Sequence, residues 1–362
     1  MPGYYFRHNE LGLPSNGTGV GNDLASERRM VRKLITDSIR YWIEEYHIDG
    51  FRFDLMGILD VETMNEVRQV CDSFNKEMVI IGEGWDLNTP LPFEKKAIIA
   101  NQSVLPRIGH FNDRFRDHMK GNTFELTDKG YGLGNAKLLE AAIEAVTGSI
   151  GLKNKDTRLF AEPYQSVNYV ECHDNHTLWD KLIVSFPQTS ETTRMSYHRL
   201  LTGLVILSQG IPFLHSGQEF FRTKQGDGNS YRSSNEINRL DWERKMHYKE
   251  NVEYVKGLIQ IRKNLSCFRL KTAEEIRQRF HTLPVSSPLI GCIYKMDDYE
   301  VILLINPSQS AQYVSIPEGD WSLVANHEMV GITSNVMVKD GEVKLEAISL
   351  NVLLKKYLPE IT

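Results

Sequence analysis

A chain of 362 residues, 41% hydrophobic and 25% charged, is long enough for one large globular domain and a smaller one. Its 42 basic and 47 acidic residues leave a net charge of -5 with no block of five or more like charges, which argues against nucleic acid or acidic surfaces as partners. No apolar stretch approaches the roughly 18 residues that span a bilayer, and Cys71, Cys172, Cys267 and Cys292 show neither CxxC nor Cys/His spacing, so they read as reduced thiols.

The first 23 residues are rich in Gly, Asn, Ser and Pro and predict an ordered loop, with turns at Pro14-Ser15-Asn16-Gly17 and Val20-Gly21-Asn22-Asp23. No positively charged segment followed by an apolar one is present there, so the expectation is a cytoplasmic rather than a secreted protein, with its native N-terminus upstream. From about Ala25 to Tyr46 the positions Met30, Val31, Leu34, Ile35, Ile39, Tyr41, Trp42 and Ile43 recur at three and four, predicting an amphipathic helix with Trp42 in the core. A strand over Ile48 to Asp54 follows, then a helix over Asp60 to Phe74 and a strand over Met78 to Glu83.

Short apolar runs at Arg107 to Phe111, Ser166 to Cys172 and Ile211 to Leu214 scarcely alternate and predict three more buried strands. Helical patterns lie at about Ala136 to Val146, Thr193 to Ser208 and Lys249 to Leu265. This alternation of strand and helix argues for a parallel α/β sheet. After about Thr272 the pattern changes to short strands: Leu289 to Lys295, Glu300 to Ile305, Gln312 to Ile316, Trp321 to Asn326 and Glu346 to Lys355. Turns such as Asn306-Pro307 and Lys339-Asp340-Gly341 separate them, which suggests a small antiparallel sandwich. The expected domains are 1–272 and 273–362.

Two carboxylates close apolar runs beside glycines: Asp54 in Gly50-Phe51-Arg52-Phe53-Asp54, and Glu83 in Val79-Ile80-Ile81-Gly82-Glu83-Gly84-Trp85. Parallel strands that each end in an acid can assemble a pair at one mouth. Retaining cleavage of a glycosidic bond needs such a pair about 5 to 5.5 Å apart, one to attack the anomeric carbon and one to protonate the departing oxygen. Strand alternation puts Arg52 and Asp54 on one face, so the guanidinium can keep Asp54 ionised as nucleophile. Glu83, next to Trp85, is expected in apolar surroundings that keep it protonated as the general acid and base. A third cluster, Glu171-Cys172-His173-Asp174-Asn175-His176, could bind hydroxyls and favour positive charge at the anomeric carbon.

Each element also has a plainer reading. Asp54 alone could be a helix N-cap or an ion-pair partner of Arg52, Glu83 a polar strand end, and His173-Asp174 a turn. Trp85 and Trp179 could stack on sugars or pack under loops. The segment Arg107 to Arg116, with Asp113 and Asp117 interleaved, reads as a solvated loop and helix start. The spacing of Asp227, Asn229 and Asn235 fits no calcium loop.

At these residues the chain resembles the α-amylase superfamily, glycoside hydrolase family 13, and within it the type I pullulanases. Asp49 to Gly57 looks like that family's nucleophile motif, Gly82-Glu83-Gly84-Trp85 its acid/base motif, and Tyr169 to Asn175 its transition-state-stabiliser motif. Pro2-Gly3-Tyr4-Tyr5 with Ser15-Asn16-Gly17-Thr18-Gly19 is similar to the pullulanase segment before the third barrel helix. The resemblance implies a retaining hydrolase of α-1,6 branch linkages in pullulan, glycogen or amylopectin dextrins. Carried over by motif, Asp54 is nucleophile, Glu83 proton donor and Asp174 stabiliser, with Arg52, His173, Trp85, Asn175 and Met56 contacting substrate. No cofactor is required for this chemistry, and neither calcium nor another metal is indicated.

The family's (β/α)8 TIM barrel has eight strands, of which this chain supplies the last five strand-helix units, followed by the antiparallel β-sandwich. Five parallel strands cannot close a barrel. The expectation is therefore reduced or absent activity alone, and association through the unpaired barrel edge. Two alternatives stand beside the debranching reading: an α-1,4-acting amylase or neopullulanase-like relative, and a noncatalytic glucan-binding degenerate barrel.

Overall fold

The computed structural model describes residues 3–332, 336–338 and 341–357. Pro2 and the Lys339-Asp340 part of one expected turn lie outside the described residues. Two compact units make up the chain: Met1–Phe111 with Asn154–Val167, and Asn112–Lys153 with Asn168–Thr362.

In the first unit the opening loop is ordered by its own polar groups. Asp23 accepts Ser15 Oγ at 2.6 Å, the Gly17 N–H at 2.9 Å and the Thr18 N–H at 3.2 Å. The buried Arg7 guanidinium reaches Glu27 at 2.8 Å and Thr89 at 3.1 Å. Helix α1 (Arg29–Tyr46) follows and turns out through His47, whose left-handed backbone (φ 54°) returns its N–H to Ile43 O. Strand β1 (Gly50–Phe53), helix α2 (Val61–Phe74), and strands β2 (Val79–Gly82) and β3 (Gly109–Phe111) come next. The buried Asp60 caps α2 by accepting the Thr63 N–H, and it also takes Ser26 Oγ at 2.6 Å and Arg32 at 2.9 Å. Burial works to raise the Asp60 pKa, but these donors outweigh it and hold the carboxyl below its ordinary value.

The face that α1 buries is narrower than its pattern suggests. Val31, Thr36, Ile39 and Ile43 point inward, whereas Leu34, Tyr41 and Trp42 do not. Trp42, expected in the core, is 43% exposed. It lies one residue, about 100° of helix rotation, from the buried Ile43, and there it meets Tyr46 one turn on, with ring centroids 4.5 Å apart. Core contacts in this unit come instead from Ile39, Ile43, Met56, Met64, Val67, Cys71, Ile80 and Ile108. Strands β1, β2 and β3 pair parallel in chain order, Phe53 facing Gly82 and Gly82 facing His110. Strand β4 (Ser166–Asn168) extends the order, Phe111 facing Val167.

The second unit opens with α3 (Asp113–Lys120), capped by Asn112, which accepts the Phe115 N–H at 2.9 Å. Its charged sequence hides two inward residues at helical spacing, Phe115 and Met119, both fully buried, so the expected solvated segment is a packed helix. Helices α4 (Leu139–Val146), α5 (Leu178–Ser185) and α6 (Glu191–Leu207) follow. Strand β5 (Ile211–Pro212) lies beside Asn168, whose carbonyl accepts the Phe213 N–H at 2.9 Å. Two short helices, α7 (Asn235–Asn238) and α8 (Trp242–His247), lead to α9 (Lys249–Asn264) and α10 (Ala273–Arg279).

The antiparallel region begins at β6 (Phe280–Thr282) and continues through β7 (Ile290–Lys295), β8 (Tyr299–Asn306), β9 (Gln312–Ser315), β10 (Trp321–Ala325), β11 (Met337–Val338), β12 (Glu342–Leu345) and β13 (Ser349–Lys356). Six strands form one sheet in the order β11-β10-β13-β8-β7-β6, and β9 pairs with β12 in another. Strand β8 shows why this is a sandwich. Its Val301, Leu303 and Ile305 join the core with Leu204 of α6 and Leu258 of α9, while Ile302 and Leu304 join Val314, Val343 and Leu345 of the smaller sheet.

Buried cations tie helix ends in this unit. Arg262 of α9 donates to Ile206 O and Ser208 O at 2.8 Å and to Gly210 O at 2.6 Å, serving carbonyls that the end of α6 leaves without helical partners. Burial pulls its pKa down to about 10. Replacing Arg262 with Met keeps the stem and strips these donors, which should cost about 1.5–3 kcal/mol in urea unfolding.

Two buried histidines set an acid limit. Burial holds His110 on β3 and His198 on α6 down at about 4, below the ordinary 6.5. Between those values the unfolded chain binds protons that the folded chain refuses, so stability is complete above about pH 6.5 and is lost as pH falls toward 4. The urea midpoint should drop by an amount worth about 1–2 kcal/mol per histidine by pH 5, and the pair of variants His110→Gln and His198→Gln should flatten that decline.

Candidate active site

Strands β1 and β2 each end one residue before an acid, Asp54 and Glu83. The Glu83 N–H donates to Phe53 O at 3.2 Å, continuing the ladder one step beyond the strands. The chain then turns sharply at Leu55, whose left-handed backbone (φ 42°, ψ 46°) is costly for a side-chain-bearing residue. That turn folds the backbone over Glu83. The Leu55 N–H donates to Glu83 Oε2 at 2.7 Å and the Gly57 N–H to Glu83 O at 2.9 Å. A Cβ on Gly57 would lie 1.8 Å from Trp85 O, so only glycine lets the two segments pass.

Arg52 spans both acids. Its Nη1 pairs with Asp54 Oδ1 and its Nη2 with Glu83 Oε1 at 2.8 Å, and its guanidinium lies 6.0 Å from the centre of the Phe111 ring. One planar fork therefore serves two carboxylates at once. Asp54 is 74% exposed and Glu83 13%. The pair therefore offers one open carboxylate and one sheltered one. The expected apolar setting of Glu83 fails, because the Leu55 turn and Arg52 bring an amide N–H and a guanidinium onto its two oxygens.

In the second unit the chain leaves β4 through Tyr169, Val170 and Glu171, all buried, and then surfaces. His173 Nε2 lies 3.4 Å from Asp174 Oδ2, and both side chains are more than half exposed. Asn175 adopts a left-handed backbone (φ 62°) that turns the loop back toward α5. Thr177 caps that helix by accepting the Asp180 N–H.

The structure thus brings Arg52, Asp54 and Glu83 together in the first unit, and His173, Asp174 and Asn175 in the second. Trp85 is half-buried beside Glu83. Met56 does not serve as expected: it is fully buried in the core with Ile39, Ile43 and Met64, because the turn after Asp54 points it inward. Trp179 likewise packs inside, 5.1 Å from the Phe221 ring with Arg244 over its face, which leaves no surface for a sugar. His215, which meets Glu171, Arg222, which meets His215, and Lys224, which donates to the His173 carbonyl, escape sequence reasoning. The available signal is His215 at the end of the apolar run Ile211 to Leu214, the same strand-end position that marks the acids. Among the described residues no group of three or more His, Cys, Asp or Glu side chains is placed to hold a metal ion.

The family described as "Alpha amylase, catalytic domain" matches residues 18–253. A pullulanase of Bacillus subtilis (strain 168) is 50% identical over 301 residues, covering 83% of this chain and 42% of that protein. The crystal structure of the type I pullulanase of that organism with maltose superposes with a TM-score of 0.94 at 44% identity, over 98% of this chain and 50% of the other. A pullulanase from Anoxybacillus sp. LM18-11, solved with maltotetraose, gives 0.92 at 45% identity over the same shares. The chain spans about half the length of these relatives. From its parallel strands with acids at their ends and the match across residues 18–253, the chain belongs to the alpha-amylase catalytic-domain family.

Proposed function

We propose that this chain carries the reacting carboxylates of a retaining glycoside hydrolase that cuts α-1,6-glucosidic branch linkages in pullulan, glycogen or amylopectin dextrins. The observation that carries this reading is Arg52 holding Asp54 and Glu83 at the ends of neighbouring parallel strands, in a chain similar to pullulanases. The maltooligosaccharides in those relatives' crystal structures support an α-glucan as substrate.

In this reading the exposed Asp54 carboxylate attacks the anomeric carbon while Glu83 gives its proton to the departing glycosidic oxygen, leaving a glycosyl ester on Asp54. Glu83, now ionised, takes a proton from water, and the resulting hydroxide displaces Asp54 with net retention. The Arg52 and Leu55 donors receive Glu83 in that ionised form. Arg52 orients both groups, Asp174 and His173 hold substrate hydroxyls and favour positive charge at the anomeric carbon, and Asn175 and Trp85 contact the sugar. Five strands leave a barrel open, so we propose slow turnover by this chain alone, together with association through the free side of β1.

Incubation with pullulan should release maltotriose, more slowly than the longer relatives do. Panose as product would favour the α-1,4 alternative, and glucan affinity without turnover, even after the segment that precedes this chain in the longer relatives is restored, the noncatalytic one. Glu83→Gln should lower the rate of maltotriose release by about 10²–10⁴-fold; a rate unchanged by that substitution removes Glu83 from the chemistry. Arg52→Lys replaces a fork with a point charge that cannot serve two carboxylates at once. It should lower kcat about tenfold or more at nearly constant KM, measured on the same substrate.

A further inference from the structure

The 172–176 loop presents an exposed carboxylate from a buried foundation. Glu171 before it and Thr177 and Leu178 after it have almost no accessible surface. Glu171 Oε2 accepts the Leu178 N–H at 2.6 Å, so one side chain joins the two ends of the loop. Its other oxygen meets His215 Nδ1 at 3.0 Å. The second ring nitrogen of His215 faces Arg222 Nη1 at 3.1 Å.

This last contact fixes a proton. A guanidinium can only donate, so His215 Nε2 accepts from Arg222, and Nδ1–H is left to donate to Glu171. Arg222 is anchored in turn by Asn238 O at 2.6 Å and Ser216 O at 3.2 Å. On the other flank Lys224, buried, donates from Nζ to His173 O at 3.0 Å, while its own N–H is held by Asp180 Oδ2 at 2.8 Å. Burial works against charge on Glu171, yet the His215 and Leu178 hydrogen bonds outweigh it and hold the carboxyl below its ordinary value.

A loop that only had to connect β4 to α5 would not need a buried carboxylate with a directed imidazole behind it. We propose that Glu171, oriented by His215 and Arg222, is the positioning residue of the 172–176 loop and fixes the Asp174 carboxylate for its part in the reaction. This rests on the reading of Asp174 as transition-state stabiliser, but its test does not require turnover.

Two substitutions of His215 in the 362-residue chain separate positioning from packing. His215→Gln keeps one donor and one acceptor but not the ring; His215→Phe keeps a ring and neither hydrogen bond. Amide hydrogen exchange of the peptide covering 172–178 should stay within about twofold of wild type in His215→Gln and rise at least about tenfold in His215→Phe, with α6 unchanged in both. If Phe holds the loop as well as Gln does, or if faster exchange spreads through α6, the proposal is overturned. Should His215→Phe fail to fold, Glu171→Gln decides. It keeps an acceptor for Leu178 but loses the charge facing His215, and the same peptide should exchange at least about threefold faster; unchanged exchange overturns the proposal. In the pullulan assay, His215→Phe should lower kcat about tenfold with KM within about twofold. A chain that releases no maltotriose even when joined to the segment that precedes it in the longer relatives would overturn the hydrolase reading, while the exchange measurements judge the loop independently.

Discussion

Two carboxylates brought within a few ångströms repel each other, and a site that needs both must hold them with an opposing charge. In this chain that charge is the Arg52 guanidinium, which serves Asp54 with one nitrogen and Glu83 with another. Its placement follows from strand geometry alone. Alternation along β1 points Arg52 and the residue after the strand to the same face, and the parallel register with β2 puts Glu83 one step beyond Phe53. The left-handed Leu55, the glycine at position 57 and the inward Met56 are the local cost of folding the chain across that cation.

The second unit solves a related problem with different chemistry. Asp174 is open to solvent, with the equally exposed His173 ring 3.4 Å from one of its oxygens, so order is imposed from below. The Glu171, His215 and Arg222 chain does this with directional hydrogen bonds in a low-dielectric interior, where each is stronger than it would be at the surface. In each unit an exposed carboxylate is flanked by hydrogen-bonded charged groups, Asp54 by Arg52 and Asp174 by the loop whose ends Glu171 joins.

Much of this was legible in the residues. Asp54 and Glu83 stood out because acids recur at the ends of successive apolar runs, each ambiguous by itself, and β8 because its apolar run is long. What stayed hidden depended on distances across the chain. Nothing local distinguishes Trp42, exposed, from Ile43, buried, because the boundary of a helix face is set by what packs against it. Met56 was misjudged because a motif gives adjacency and not side-chain direction. His215 was missed since its partner Glu171 lies 44 positions earlier. The capping box at Thr272 and Glu275, which starts α10, carries a readable Thr-x-x-Glu signature that the change toward strand-like composition masked. Strand β12 was lost because Glu342, Val343, Lys344 and Leu345 alternate too briefly to stand out.

The two-sided character of β8 reaches beyond stability. Its odd-numbered residues from Val301 to Ile305 form the inner wall against which α6 and α9 rest, so residues on both sides of position 272 share one core. An excision at that point would leave the helical layer with a greasy scar in place of a neighbour. The helices before that point and the antiparallel strands after it are therefore one folding unit, not two exchangeable modules.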